Sequence, residues 1–206
     1  MMDGAFHEAA LARIPFWFLR HGETDWNARG ISQGNVDIPL NATGLAQARS
    51  AAERLRHRGI ASIVASPLSR ARVTAEIAGE ALGLPVAVDA DLREVSFGVQ
   101  EGQAMSGWFA DWIAGSFTPD GAESFPQLRR RAVAAINRST ALPPAVLVVA
   151  HGALFRAIRA AMGIQPNIRT QNAVPIFCDP PRAGDAAWTL DYQVGSGQVG
   201  SGSTIR

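Results

Sequence analysis

The chain has 206 residues, with 19 basic against 18 acidic side chains and a formal charge of +1 at pH 7. That balance gives no electrostatic reason to expect nucleic acid or a membrane surface as a partner, and no apolar run is long enough to span a bilayer. All 19 basic residues are arginine, which excludes Schiff-base chemistry, a lysine-anchored pyridoxal and a Walker-type phosphate loop, since each needs an amine.

The length suits one domain with a sizeable core. Cys178 is the only cysteine, which rules out an internal disulfide and a cysteine metal cluster. Residues 1–13 carry Asp3 and Glu8 and lack a basic start before an apolar block. A secretory signal is therefore not expected, and a cytoplasmic location is the default.

In chain order, residues 1–13 read as a loose arm or short helix. Residues 16–19 (F-W-F-L) form a short apolar run that stops at Arg20-His21-Gly22, as a buried strand does on leaving a sheet. Residues 22–41 are a long polar connection with Gly30, Gly34 and Pro39, a length that in a compact domain is usually functional. Thr43 is the expected cap of a helix whose apolar face is Leu45, Ala48, Ala52 and Leu55, with Gly59 as its stop. A second strand over 61–65 leads to Ser66-Pro67, read as a cap and first helical residue. The helix that follows carries Arg70 and Arg72 and runs to about Leu82.

A third strand over 86–88 precedes Asp91-Leu92-Arg93-Glu94. Residues 95–124 are an insert containing glycine and aromatics, with a helix expected over 108–113. A strong helix over 125–141 is stopped by Pro143-Pro144, and 145–150 (A-V-L-V-V-A) is the best strand in the chain. It ends at His151-Gly152, with a helix following through Met162. Residues 170–178 and 187–194 are expected as late strands, and the Gly/Ser repeat from Gly195 as a flexible tail. This alternation predicts an α/β fold, a three-layer α/β/α domain with a mostly parallel central sheet over 1–194.

In such sheets ligands bind at the C-terminal edge of the strands. The first strand delivers Arg20 and His21 there, the second Ser66 and Arg70, the fourth His151-Gly152, and the third leads to Glu94. Guanidinium groups bind phosphoryl oxygens through paired charge-assisted hydrogen bonds, and helix N-termini behind Ser66 and His151 add backbone N–H donors. A neutral imidazole is a competent nucleophile, and a nearby carboxyl can protonate a departing oxygen.

The blocks R-H-G-E-T-D-W-N at 20–27, S-P-L-S-R-A at 66–71, L-R-E-V-S-F-G-V-Q-E-G at 92–102 and A-H-G at 150–152 resemble the histidine phosphatase superfamily. This family includes cofactor-dependent phosphoglycerate mutases and many phosphomonoesterases. The resemblance implies a phosphoglycerate mutase-like fold and a metal-independent, histidine acid phosphatase-type hydrolase of a small phosphorylated metabolite. His21 is then the nucleophile that becomes phosphohistidine, oriented by the Gly22 carbonyl. Arg20, Arg70 and His151 hold the phosphoryl oxygens, and Glu94 is the general acid and then base. Thr24, Asn27, Gln33, Gly34 and Gly152 line the phosphate pocket. At Asn35, where many members have histidine, the loop departs from the family pattern.

No cofactor is implied, and a metal site on His21, Glu23 and His151 lacks recognised ligand spacing. His7 and His57 read as solvent-facing, Trp108, Phe109 and Trp112 as core, and Arg129-Arg130-Arg131 as a solvated helix face. The segment over 95–128 contains no arginine, whereas a phosphoglycerate mutase needs extra cations for a bisphosphorylated intermediate. Hydrolysis is therefore expected over mutase activity. A non-catalytic phospho-ligand binder is the other alternative. The oligomeric state is open, with a homodimer as one assembly to test.

Overall fold

The computed structural model describes residues 10–182 and 187–193. Six strands, β1 (Phe16–Arg20), β2 (Ser62–Ala65), β3 (Val86–Val88), β4 (Val146–Ala150), β5 (Pro175–Asp179) and β6 (Thr189–Tyr192), form one sheet in the order β3-β2-β4-β1-β5-β6. The first four in that order run parallel, and β5 and β6 are antiparallel additions at one side. The helices between them are α1 (Asp25–Ala28), α2 (Ala42–Leu55), α3 (Ser69–Leu82), α4 (Trp108–Ala114), α5 (Phe125–Thr140) and α6 (Gly152–Ala161).

The period-2 alternation of the strands divides the core into two layers. Trp17, Leu19, Ile63, Ala65, Leu147 and Val149 face α2 and α3, and pack on Ala51, Leu55, Ala75 and Ala78. Phe16, Phe18, Val64, Val146, Val148 and Ala150 face the other way, onto Leu128, Ile136, Leu154, Phe155 and Ile158 of α5 and α6. Both faces of β1 and β4 are covered, which is why those segments read as continuous apolar runs rather than alternating ones.

Several local expectations are corrected. The cap of α2 is Asn41, whose side chain accepts the Gly44 N–H at 2.8 Å, and Thr43 lies inside the helix. That helix ends at Leu55, before Gly59. α3 starts at Ser69 rather than at Pro67, and its first N–H is taken by Asp37 Oδ1 at 2.7 Å. The polar connection holds the one-turn helix α1, closed by a capping box between Thr24 and Asn27. Within the N-terminal arm, the Asn137 side chain of α5 donates to the Ala10 carbonyl at 3.0 Å and accepts the Ala12 N–H at 2.9 Å. His7, Val194 and the tail from Gly195 lie outside the described residues.

The insert does not stand apart from the connection. Glu101 Oε1 accepts the N–H groups of Asn35 and Phe97, each at 3.0 Å, and Ala104 bridges to Ile31. Arg131 is not a solvated residue. It forms a two-point ion pair with Glu123 at 2.6 and 2.9 Å and donates to the carbonyls of Asp91, Arg93 and Glu94, so it clamps the loop that carries Glu94.

Candidate active site

Strand register brings the chemistry together. Arg20 of β1 lies opposite Ala150 of β4, and the His21 N–H continues that ladder to the Ala150 carbonyl at 3.0 Å. On the other side of β4, the Ser66 N–H reaches the Val149 carbonyl at 3.0 Å. The residue after each of three neighbouring strands therefore arrives at one place, and the His21 and His151 rings stand 5.2 Å apart between centroids. That spacing lets both rings touch a single tetrahedral anion.

His21 Nδ1 lies 2.7 Å from the Gly22 carbonyl. A carbonyl only accepts, so Nδ1 carries the hydrogen and the lone pair is on Nε2. Gly22 has to be glycine, because a Cβ there would collide with the Gly44 backbone at the start of α2. Its own N–H is held by Thr74 Oγ1 at 3.1 Å, and Asn172 Nδ2 donates to the His21 carbonyl at 3.0 Å. The His21-Gly22 turn is thus fixed from three sides.

His151 Nε2 lies 2.7 Å from Ser66 Oγ. The Ser66 oxygen also accepts the Leu68 N–H at 3.3 Å, so the hydroxyl ties the His151 ring to the turn before α3. Ser66 is therefore a support for His151 rather than a helix cap. Arg20 Nε and Arg70 Nε are buried donors with no partner in the structure, and the buried His151 Nδ1 has none either, although His151 is not on the cavity wall that the two arginines share with His21. Buried polar groups are almost always satisfied, so two such guanidinium donors beside His21 mark where an acceptor binds.

The remaining donors on both guanidinium groups set their orientation. Arg20 Nη1 donates to the Thr170 carbonyl at 2.7 Å, while Arg70 donates to the Val36 and Gly34 carbonyls, each at 2.8 Å. Gly152 lies against Arg20, where an added Cβ would sit 3.3 Å from Nε. Glu94 accepts three backbone N–H groups: Ala153 at 3.0 Å on Oε2, and Leu154 at 3.0 Å and Val95 at 3.1 Å on Oε1. The N-terminus of α6 behind His151 thus holds this carboxylate, and those two amides are not offered to a phosphate as the sequence suggested.

Arg20, His21, Asn27, Gln33, Gly34, Arg70, Glu94 and Gly152 all line one cavity of about 470 Å³. Asn27 spends its oxygen on the Thr24 N–H and Asn172, and Gln33 spends its oxygen on the Thr24 hydroxyl, so both have their NH2 groups left for an anion. Thr24 is not on the cavity wall. It caps α1 and holds Gln33 at 3.0 Å, a positioning role. Asn35 is likewise absent from the wall, and its N–H is tied to Glu101. Phe109, read from sequence as core, is both buried and on the wall, whereas Trp112 is fully core. Among the described residues no three His, Cys, Asp or Glu side chains are grouped to hold a metal.

Sequence reasoning missed Arg156 and Arg169, which also line the cavity. The insert indeed has no arginine, but the inference that the site lacks extra cations does not hold. These come from α6 and from the loop before β5.

Charge and burial act together here. Burial, opposed by Glu94 and reinforced by Arg169, Arg156 and Arg70, pulls the Arg20 guanidinium down to about 10. Burial pushes both imidazoles well below the usual 6.5, with Arg20 and Arg70 adding to it at His21 and with Arg70, His21 and Arg20 adding to it at His151. Both rings are therefore neutral at pH 7.

The lowered imidazoles couple folding stability to pH. Unfolded imidazoles titrate near 6.5, so below that pH the unfolded chain binds more protons than the folded one. The ligand-free protein should be fully stable, in this respect, above pH 6.5 and lose stability as pH falls toward the folded values. The slope approaches about 1.4 kcal/mol per pH unit for each ring. Urea unfolding between pH 7 and 5.5 should show a shallower slope in His21→Gln than in the wild type; equal slopes would contradict it.

A family model for the histidine phosphatase superfamily (branch 1) matches residues 16–174. The chain belongs to that superfamily. It is 42% identical over 152 residues to the probable phosphoglycerate mutase GpmB of Klebsiella pneumoniae, covering 68% of this chain and 70% of that protein. It is 34% identical over 185 residues to the uncharacterized phosphatase PhoE of Bacillus subtilis, covering 86% and 93%. A solved mycobacterial glucosyl-3-phosphoglycerate phosphatase complexed with VO3 superposes with a TM-score of 0.75 at 32% identity, over 86% of this chain and 97% of that one. The superfamily match ends at Val174 and so takes in every residue that the sequence placed in the site.

Proposed function

We propose that the chain is a metal-independent phosphomonoesterase that acts through phosphohistidine at His21 on a small phosphorylated metabolite. The observation that carries this reading is the pair of unpartnered guanidinium donors, Arg20 Nε and Arg70 Nε, on the cavity wall beside a histidine whose Nδ1 is already engaged by Gly22, with the His151 ring 5.2 Å from it. The His21 Nε2 lone pair attacks phosphorus as the ester P–O bond breaks. Arg20, Arg70 and His151 hold the nonbridging oxygens, and Glu94 protonates the departing alkoxide. Water then attacks the phosphorus of phosphohistidine with Glu94 taking its proton, and inorganic phosphate leaves with His21 restored. Phosphoryl transfer needs mainly positioning and charge stabilisation, which fixed guanidinium groups supply. Because burial keeps His21 neutral well into the acid range, the acid phosphatase type fits the site.

The assay is phosphate release from p-nitrophenyl phosphate and from 3-phosphoglycerate, in excess EDTA. Turnover of the aryl ester that is insensitive to EDTA is expected, with hydrolysis of the acid ester exceeding isomer exchange. Loss of activity in EDTA would overturn metal independence. Primer-dependent exchange between phosphoglycerate isomers faster than hydrolysis would instead make the protein a mutase.

A further inference from the structure

The sequence motifs place no site residue beyond Gly152, yet the loop before β5 is fastened to the end of β1 at three points. Arg20 Nη1 donates to the Thr170 carbonyl at 2.7 Å, the Ala173 N–H donates to the Arg20 carbonyl at 2.9 Å, and Asn172 Nδ2 donates to the His21 carbonyl at 3.0 Å. Ala173 is buried and has a φ of 49°, in the left-handed region that favours glycine. Its carbonyl accepts Arg54 Nη2 at 3.0 Å, so both of its backbone polar groups are held. A residue other than glycine keeps such a conformation where its surroundings over-determine it, and here it sets the backbone next to Asn172.

Asn172 is half-buried and absent from the cavity wall, so its role is not contact with a bound group. Its amide nitrogen serves two acceptors, the His21 carbonyl at 3.0 Å and Asn27 Oδ1 at 3.2 Å. Neither amide can be turned round. A carbonyl only accepts, so the group facing His21 is the Asn172 NH2. Asn27 Oδ1 also accepts the Thr24 N–H at 3.3 Å, so that atom is the oxygen and the Asn27 NH2 lies on the other side. Asn27 lines the cavity with Arg20, His21 and Arg70, and this NH2 is the donor it has to offer an anion there.

We infer that Asn172 is a positioning residue for the phosphoryl site, tying the His21 backbone to Asn27 and aiming the Asn27 NH2 at the transferred group. Without Asn172, Asn27 Oδ1 keeps only the Thr24 N–H, and the amide can turn its oxygen toward the cavity, where it repels an anion. This rests on phosphate being the group bound beside His21, but not on turnover.

The test reads binding of inorganic phosphate by calorimetry in the wild type, Asn27→Ala, Asn172→Ala and the double variant. Hydrogen bonds to charged groups are the strong ones, so Asn27→Ala is expected to weaken phosphate about 10-fold and Asn172→Ala about 5-fold. In the Asn27→Ala background the Asn172 substitution should cost less than about 2-fold, because the donor that it aims is gone. A residue that merely supports the fold lowers affinity by the same factor in both backgrounds, and equal factors overturn the inference. Asn172→Asp keeps the side-chain shape and supplies a second cycle should the truncation not fold; its added charge acts in both backgrounds and cancels in the comparison. The dependence also has a spectroscopic form. The Asn27 side-chain amide resonances, identified by their absence from Asn27→Ala, should move on phosphate addition in the wild type and lose most of that response in Asn172→Ala. An undiminished response would likewise overturn the inference. Wild type that binds phosphate with the expected pattern yet hydrolyses no phosphomonoester would instead sink the phosphatase reading alone.

Discussion

His21→Ala is expected to reduce phosphomonoester turnover by on the order of 10⁴- to 10⁶-fold, the range over which removal of a nucleophile acts in covalent enzymes. The size follows from the geometry. His21 Nε2 is the free lone pair of a ring fixed through Nδ1 to Gly22 at 2.7 Å, beside donors that await the transferred group. His151, the other ring, is fully buried, tied to Ser66 through Nε2 at 2.7 Å and absent from the cavity wall, so it is not placed to substitute. Acid-labile, base-stable phosphoenzyme should be trapped from the wild type and be absent from the variant. Inorganic phosphate should still raise the melting temperature of His21→Ala, because Arg20 and Arg70 keep their unpartnered Nε donors. That retention separates a lost nucleophile from a collapsed site. Activity within about ten-fold of wild type, or phosphate trapped elsewhere, would remove His21 from the mechanism.

One part of this site was legible from strand ends alone, while Asn27, Gln33 and Gly34 in the connection came only with the motif resemblance. Arg20-His21, Ser66 and His151-Gly152 each come straight after an apolar run, and parallel register does the rest. What the sequence hid depends on which turn of a helix or loop faces the cavity. Arg156 and Arg159 sit three residues apart on α6 with the same residue type, yet one is locked to Gln165 and Tyr192 and the other opens to the cavity. Arg169 lies in a loop with no periodicity to place it. Ser66 reads as a cap because Ser-Pro before a helix is a common start signal, but here the hydroxyl is diverted to His151. α1 has only four residues, too few for a hydrophobic period to show.

These misplacements have a common physical cause. Local signals such as caps and stops report how the backbone satisfies itself, whereas the site draws polar groups away from that task. Glu94 illustrates the exchange. It takes the amides of Ala153 and Leu154 that a cap residue would otherwise serve, so a carboxylate on the cavity wall doubles as the external cap of α6. Arg131 then fixes the loop behind it, donating to the Asp91, Arg93 and Glu94 carbonyls.

Glu94→Gln is accordingly expected to split two classes of substrate. An alkyl phosphate must expel an alkoxide, which needs a proton as the P–O bond breaks, and removing a positioned acid costs about 10²- to 10⁴-fold. p-Nitrophenolate leaves without that help, so phosphorylation of His21 by the aryl ester should fall far less. The second half-reaction still needs a base for water, whatever the leaving group was. Glu94→Gln should therefore give a rapid burst of p-nitrophenolate, stoichiometric with enzyme, followed by slow turnover and accumulated phosphohistidine. One structural effect accompanies the chemical one. The carboxamide NH2 must face an N–H that a carboxylate oxygen now accepts, either Ala153 or the Val95 and Leu154 pair, at about 1–3 kcal/mol for each donor left unsatisfied. A lowered melting temperature alone would thus prove nothing about catalysis. A merely loosened site would slow both ester classes together and yield no burst, and that result would take the proton-transfer role away from Glu94.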